Sequence, residues 1–320
     1  MDGPAAGLVA KEDLRRWMKP ASGPGLARVA VQLPLLVVSL VATVWLAGAG
    51  NPAWIAAVLL AGTVLVGFFA ALHEAGHKTA FRSRPLNESL VWLAAFLMLQ
   101  CPSFFREFHW EHHRETQSPT RDPELGGQAW LLGGWPSNLG IYPFRASGQA
   151  LLAGKALFTV TSALLVTAAQ WEKIFPFVRP DHRRRVQWES RLAIALWSAI
   201  FHFGSRDVPG FENALLAWPI AHVWMGLFVT AEHSGRAIEG TQLERTRTTR
   251  SNALVRFHMW NMNYRAEHHA FPAVPGHALP ELHRALGDGV HVTGGYLAFH
   301  AEALRRSLRG DTAPATNPPG

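Results

Sequence analysis

Apolar residues run almost unbroken over 28–49 (RVAVQLPLLVVSLVATVWLAGA) and 53–72 (AWIAAVLLAGTVLVGFFAAL), each close to the roughly 20 residues that carry a helix across a bilayer. The turn between them, GNPA, is short and uncharged, so the two are predicted to form a helical hairpin. Arg15, Arg16, Lys19 and Arg28 precede the hairpin and Lys78, Arg82 and Arg84 follow it, which places both of its ends on the cytoplasmic side. A second hairpin is expected from about 188–204 and 212–232, its first arm short for a span and tilted toward the interface. Two apolar segments between the hairpins, about 89–105 and 150–170, are ambiguous. A single crossing by either would throw HWEHHRE (109–115) or RPDHRRR (179–185) to the side opposite HEAGH (73–77). Both are therefore read as re-entrant or interfacial helices, the second also because Lys155 interrupts it. An amphipathic helix is predicted at about 278–287, and no fixed-period repeat is present.

Composition agrees with a membrane protein. Hydrophobic residues reach 48% against 17% charged, and 13 tryptophans suit the membrane–water boundary as anchors better than they suit a substrate cage. The net charge of +7 does not point to nucleic acid, because Lys and Arg lie in loops beside apolar runs rather than among exposed aromatics. The one cysteine, Cys101, excludes an internal disulfide framework, a CxxC pair and a Cys-ligated iron–sulfur cluster. Any metal must then be held by histidine, of which there are 16. The first 25 residues lack the apolar core of a secretion signal, so the amino terminus is expected in the cytoplasm.

The histidines are clustered. His73 and His77 stand four apart, one helical turn, which suits two imidazoles to one ion. HEAGH also fits H-E-x-x-H, the zinc-protease pattern with Glu74 as general base, so an intramembrane metalloprotease is the rival reading from another chemical class. His109, His112 and His113 follow HxxHH and are expected on one helical face. His268 and His269 form a third cluster in NMNYRAEHHAFP (261–272), and His233 stands alone where the last apolar helix meets water. The predicted topology brings all four groups to one side of the membrane. A tetrahedral zinc takes about four ligands, whereas these positions offer eight imidazoles, which suits two metals. Imidazole without cysteine is compatible with iron, copper, nickel or zinc, so the donor set leaves the ion open.

The order HxxxH, HxxHH and a terminal EHH about 150 residues later, between paired apolar helices, resembles the membrane-bound fatty acid desaturase and hydroxylase superfamily over about 28–290. HEAGH, FHWEHHRETQSPTRDPE, AEHSG and NMNYRAEHHAFPAVPGHALPELH resemble its bacterial branch, which includes dihydrorhizobitoxine desaturase-like proteins. The resemblance implies a di-iron centre of two iron ions, O2 as co-substrate, and His73, His77, His109, His112, His113, His233, His268 and His269 as ligands. It also implies an acyl-chain or lipid substrate and two electrons from a separate donor. No flavin or nucleotide fingerprint is visible and cysteine is too scarce for a ferredoxin module, so that donor is expected to be a separate ferredoxin or reductase. Desaturation is the expected reaction. Hydroxylation and oxidative decarboxylation are the alternatives, because substrate placement decides which carbon is attacked and with what outcome.

In the superfamily the third box usually reads HxxHH, and its first histidine falls where this chain has Arg265. A guanidinium stays protonated and has no lone pair for a metal, so one expected ligand is missing. The ion could keep an open or water-filled position, a displaced histidine could substitute, or the protein could be a silent metal-binding relative. His258 is a poor substitute, since seven helical residues place it about 10 Å along the axis. A nearby cation also opposes binding of a positive ion.

Around the ligands, Glu74, Glu111 and Glu267 are candidates to hydrogen-bond imidazoles, or else are interface charges. Asp122 in RDPE and Asn263 steady the boxes or cap turns, and Arg265 belongs to the same outer set. His202, His222, His277, His283, His291 and His300 read as ordinary polar side chains. The expected fold is all-α, an integral membrane protein of about four transmembrane helices plus re-entrant or interfacial ones under a cytosolic histidine-rich cap. A cytosolic segment 1–25, a membrane domain 26–290 and an extension 291–320 with a disordered end make up the chain, with both termini and the metal site on the cytoplasmic face of, in a bacterium, the inner membrane.

Overall fold

Three helices are long and apolar enough to cross a membrane, Lys11–Gly48, Trp54–Gly76 and Phe211–His233, in a computed structural model that describes residues 7–125 and 140–310. The first comprises a short lead-in, Lys11–Trp17, and the main helix Ser22–Gly48. The last breaks once, into Phe211–Leu215 and Ala217–His233. Trp54–Gly76 is the centre of the bundle, buried almost continuously from Val64 to Gly76. Neighbours reach it because glycine leaves room: a Cβ on Gly62 would lie 2.5 Å from Ile220 of Ala217–His233, and one on Gly67 would lie 2.6 Å from Gln32 of Ser22–Gly48. On the outside, Val37, Val38, Val41 and Trp45 are exposed, an apolar face suited to lipid.

The 89–105 segment, expected to be a re-entrant or interfacial helix, is sharply bent, a shape that fits a re-entrant loop and a broken span alike. Arg84–Leu97 and Pro102–Glu115 meet at a 95° bend. Leu99 adopts φ 56°, which ends the first helix, and Pro102 begins the second, where its missing N–H is no loss. The 150–170 segment differs from expectation, for it is two helices. Gln149–Leu164 stops, and Thr167 with Gln170 forms a capping box that starts Ala168–Ile174 in a new direction.

The first arm of the expected second hairpin also differs. It is an unbroken 28-residue helix, Pro180–Asp207, which takes in the basic RPDHRRR segment from Pro180 onward. Arg183, Arg184, Arg185, Glu189 and Arg191 in its first half keep it outside the helices apolar enough to span. A fourth span is reached only by counting the bent pair as one.

Beyond His233 the chain builds the cap. Thr248–Thr249 pairs in parallel with Val292–Thr293, and between them lie Ala253–His258, Arg265–Ala270 and the amphipathic Leu279–Leu286, whose Leu279, Leu282 and Leu286 face inward. Trp17 Nε1 donates to Glu281 at 2.9 Å and ties the amino-terminal helix to this cap. Within the expected extension, Tyr296–Arg309 is an ordered helix: Phe299 and Ala303 cluster with Ala231, and His300 Nε2 donates to the Leu227 carbonyl at 3.0 Å. The tail 311–320, expected to be disordered, lies outside the described residues.

Candidate metal centre

Four elements end at one place. Trp54–Gly76 carries His73 on its last turn and His77 immediately after it, while Pro102–Glu115 carries His109, His112 and His113. Ala217–His233 ends in His233, and Arg265–Ala270 carries His268 and His269. The structure gathers these histidines into two groups, His73, His77, His109, His113 and His268 in one and His112, His233 and His269 in the other, with the donor atoms of each group within 4.8 Å of one another.

Helix geometry explains the division. Successive helical residues point about 100° apart, so His109 and His113 share a direction while His112 turns to the other group. Adjacent His268 and His269 part in the same way. The sequence expectation of three imidazoles on one face is therefore corrected: HxxHH serves both groups, two and one.

The first group is crowded in a manner that hydrogen bonding cannot satisfy. Nε2 of His77 lies 2.8 Å from Nε2 of His109, which lies 3.0 Å from Nε2 of His113, which lies 3.1 Å from Nε2 of His268. A neutral imidazole has one N–H and one lone pair, so along this chain one proton or one lone pair would have to serve two neighbours. A cation taking every lone pair removes the conflict, and two nitrogens each about 2.1 Å from one ion and at right angles lie about 3 Å apart. The surroundings favour the neutral form that can ligate: burial, with Arg265 adding to it, pushes His77 down to about 3, and burial with nearby imidazoles and Arg265 holds His268 well below the usual range.

The second group is oriented by outer residues. His112 Nδ1 bonds Asp122 Oδ1 at 2.9 Å and His269 Nδ1 bonds Thr116 Oγ1 at 3.2 Å. Both leave Nε2 buried and without a partner among the described residues. A carboxylate on the far nitrogen is the usual way to fix a metal-binding imidazole.

Arg265 stands between the groups. Its Nη1 donates to His73 Nε2 at 2.8 Å, and its Nε lies 3.1 Å from Glu232 Oε2 in an ion pair that is almost fully buried. His258 does not take the missing position, because its ring and carbonyl hold Gln32 at 3.2 Å and 2.8 Å.

Of the outer candidates, Asp122 and Arg265 touch clustered imidazoles, and the others do not. Glu74 accepts from the Gly276 amide at 2.9 Å, a bond that holds the cap to the central helix and turns the carboxylate away from a general-base position. Glu111 pairs with Arg114, Glu267 with Thr248 and His283, and Asn263 Nδ2 with the Thr249 carbonyl at 3.1 Å. Two carboxylates were missed. Glu232 precedes His233 in AEHSG, and Glu124 closes RDPE with its Oε1 3.6 Å from His112 Nε2. Adjacency to a box was the available signal. A cavity of about 90 Å³ opens beside the second group, lined by His112, Glu124, Phe144, Leu151, Val229 and His233 among others.

The family model described as fatty acid desaturase matches residues 49–299, a range that contains both groups. Among curated proteins, the Delta(12) fatty acid desaturase of Mortierella isabellina is 29% identical over 103 residues, which cover 31% of this chain and 26% of the relative. The Delta(12) fatty acid desaturase of Mortierella alpina matches with the same figures, 29% over 103 residues, 31% and 26%. The matched stretch thus spans about a quarter of the length of these curated relatives.

Proposed function

Because the chain belongs to the fatty acid desaturase family, as the match over residues 49–299 shows, we propose that it is an O2-dependent di-iron oxidoreductase that introduces a double bond into a fatty acyl or acyl-like chain. The observation that carries this reading is the division of eight buried or partly buried imidazoles from four elements into groups of five and three at the end of the apolar bundle. Imidazole donors without thiolate suit iron among other divalent ions. His73, His77, His109, His113 and His268 would hold one iron, and His112, His233 and His269 the other. Two bound irons supply the oxidising power that side-chain acid–base chemistry lacks for an aliphatic C–H bond.

The protein's own residues set the conditions for that chemistry. Asp122 and Thr116 fix the rings of His112 and His269, and Glu232 neutralises the arginine beside His73. The cavity next to His112 and His233 mixes polar side chains, among them Gln117, Glu124 and Arg145, with the apolar Leu125, Phe144, Leu151 and Val229. Formation of the alkene would release two electrons and two protons from adjacent carbons, and a separate ferredoxin or reductase would supply two further electrons with two protons taken from solvent, so that O2 leaves as two waters. The bacterial-branch resemblance favours a cytoplasmic site in an inner membrane. The neutralised Arg265 favours an active centre over a silent relative.

Expression with a competent electron donor, followed by mass spectrometry of the host acyl chains, tests the reading. A new alkene and about two irons per chain are expected. A hydroxylated or shortened product would move the assignment to the hydroxylase or decarboxylase alternative, and one zinc with no oxidised product would overturn it.

A further inference from the structure

The second group has three imidazoles where the first has five, and the histidine expected to enlarge it is replaced by Arg265. On the proposed reading of two bound metals, the smaller site needs another donor. We propose that Glu124 supplies it: its carboxylate is a ligand of the ion held by His112, His233 and His269, in place of the absent ring nitrogen at position 265.

Distance supports this first. Glu124 Oε1 is 3.6 Å from His112 Nε2, a buried nitrogen without a hydrogen-bond partner among the described residues. Two donors each about 2.1 Å from one ion lie about 3.4–3.6 Å apart when the angle between them is tetrahedral to trigonal. At that separation the pair is too long for a hydrogen bond and has the spacing of two ligands of one ion, while Glu124 stands outside the 4.8 Å grouping of His112, His233 and His269, so its side chain would turn toward them when the ion binds.

Rigidity supports it second. Asp122 Oδ1 takes both His112 Nδ1 at 2.9 Å and the backbone amide of Glu124 at 2.9 Å, while its Oδ2 takes the Gln117 amide at 2.8 Å. One buried carboxylate therefore sets the ring of His112 and the start of the Glu124 side chain relative to each other. Glu124 also shares the walls of the small cavity with His112 and His233.

Charge supports it third. Replacing a neutral imidazole with a guanidinium adds one positive charge near the ions. Glu232 is committed to offsetting it at 3.1 Å and Asp122 to the far nitrogen of His112 at 2.9 Å, which leaves Glu124 as the carboxylate beside His112 Nε2. An anionic oxygen donor on an iron that otherwise has three neutral nitrogens is chemically suited to a divalent first-row ion.

The test uses the full chain in detergent, with iron counted by mass spectrometry and the two irons distinguished by Mössbauer spectroscopy. Wild type is compared with Glu124→Ala, Glu124→Gln and, as a reference for the second site, His269→Ala. Glu124→Ala is expected to weaken the second iron at least tenfold, so that about one iron per chain survives mild chelation. The component lost should be the one lost in His269→Ala. Glu124→Gln should also lose it, whereas a role limited to hydrogen bonding would survive in that variant. Retention of the surviving iron shows that the variants are folded. Glu124→Ala holding both irons with wild-type affinity and spectrum would overturn the assignment alone. A wild-type chain that binds no iron pair would overturn the metal reading and this assignment together.

Discussion

The pair Arg265–Glu232 makes a quantitative prediction. Both side chains are almost fully buried, 3% and 7% exposed, with Nε and Oε2 3.1 Å apart. At an effective dielectric of about 20, unit charges at that separation attract by about 5 kcal/mol, most of which offsets the cost of taking them out of water. Arg265→Met strands the Glu232 charge, and Glu232→Gln strands the guanidinium beside His73. Each single change is expected to cost about 3–5 kcal/mol. The double variant strands neither, so it should be less destabilised than the sum of the singles by about 2 kcal/mol or more. Thermal unfolding of the detergent-solubilised protein, followed by tryptophan fluorescence, should show the singles at least about 6 °C below wild type. Singles within 1 °C of wild type, or strictly additive losses, would refute the idea that Glu232 is what makes the arginine tolerable. The same reasoning bears on Arg265→His. Restoring a ring nitrogen while leaving Glu232 unpaired should not strengthen the site, whereas Arg265→His with Glu232→Gln should.

Three other outcomes follow from the geometry. Asp122→Ala releases both His112 and the Glu124 backbone, and is expected to lower affinity for the second metal by about 10–100-fold while weakening the first much less; equal weakening at both sites, measured by competitive chelation, would contradict it. Gly226→Ala drives a Cβ to 2.5 Å from the Gly148 amide nitrogen and 2.6 Å from the Ala146 carbonyl, so a loss of about 1–3 kcal/mol is expected in the same unfolding assay. Metal-free protein should lose stability as the pH falls through about 6.5, the range in which free histidine protonates. His77, His268 and His269 are depressed in the fold, so the unfolded chain binds more protons below that pH and is favoured. A melting temperature that is flat or rises between pH 7.5 and 5.5 would show the sign to be wrong.

Much of the scaffold was legible because bilayer helices declare themselves in long apolar runs. The first hairpin and the helix ending at His233 are such runs. That 89–105 is no plain straight span was legible from the placement of the histidine boxes, though the specific break at Leu99 and Pro102 was not. The length of Pro180–Asp207 was not, because its charged half and apolar half look like separate segments to a hydropathy reading. Within the site, seven of the eight histidines stand in clusters that spacing reveals, whereas His233 stands alone and was reached through its place at the end of an apolar helix and the family resemblance; the division of the eight could not be read. Offsets of three and four are neighbours on a helix surface, and only the orientation of the helix decides which side of the rank faces which ion. The carboxylates were harder still. Glu74 finds the Gly276 amide 202 positions away, and Glu232 finds Arg265, pairings that have no local signature in the chain.

Because Pro102–Glu115 and Arg265–Ala270 each send imidazoles in both directions, the two pockets have shared walls. A tilt of either short helix displaces donors on both sides at once, and the offset between the pockets is set by the pitch of ordinary backbone. Filling one pocket therefore stiffens part of the other, so the ions should enter with positive cooperativity, and variants that empty one should leave its neighbour easier to extract.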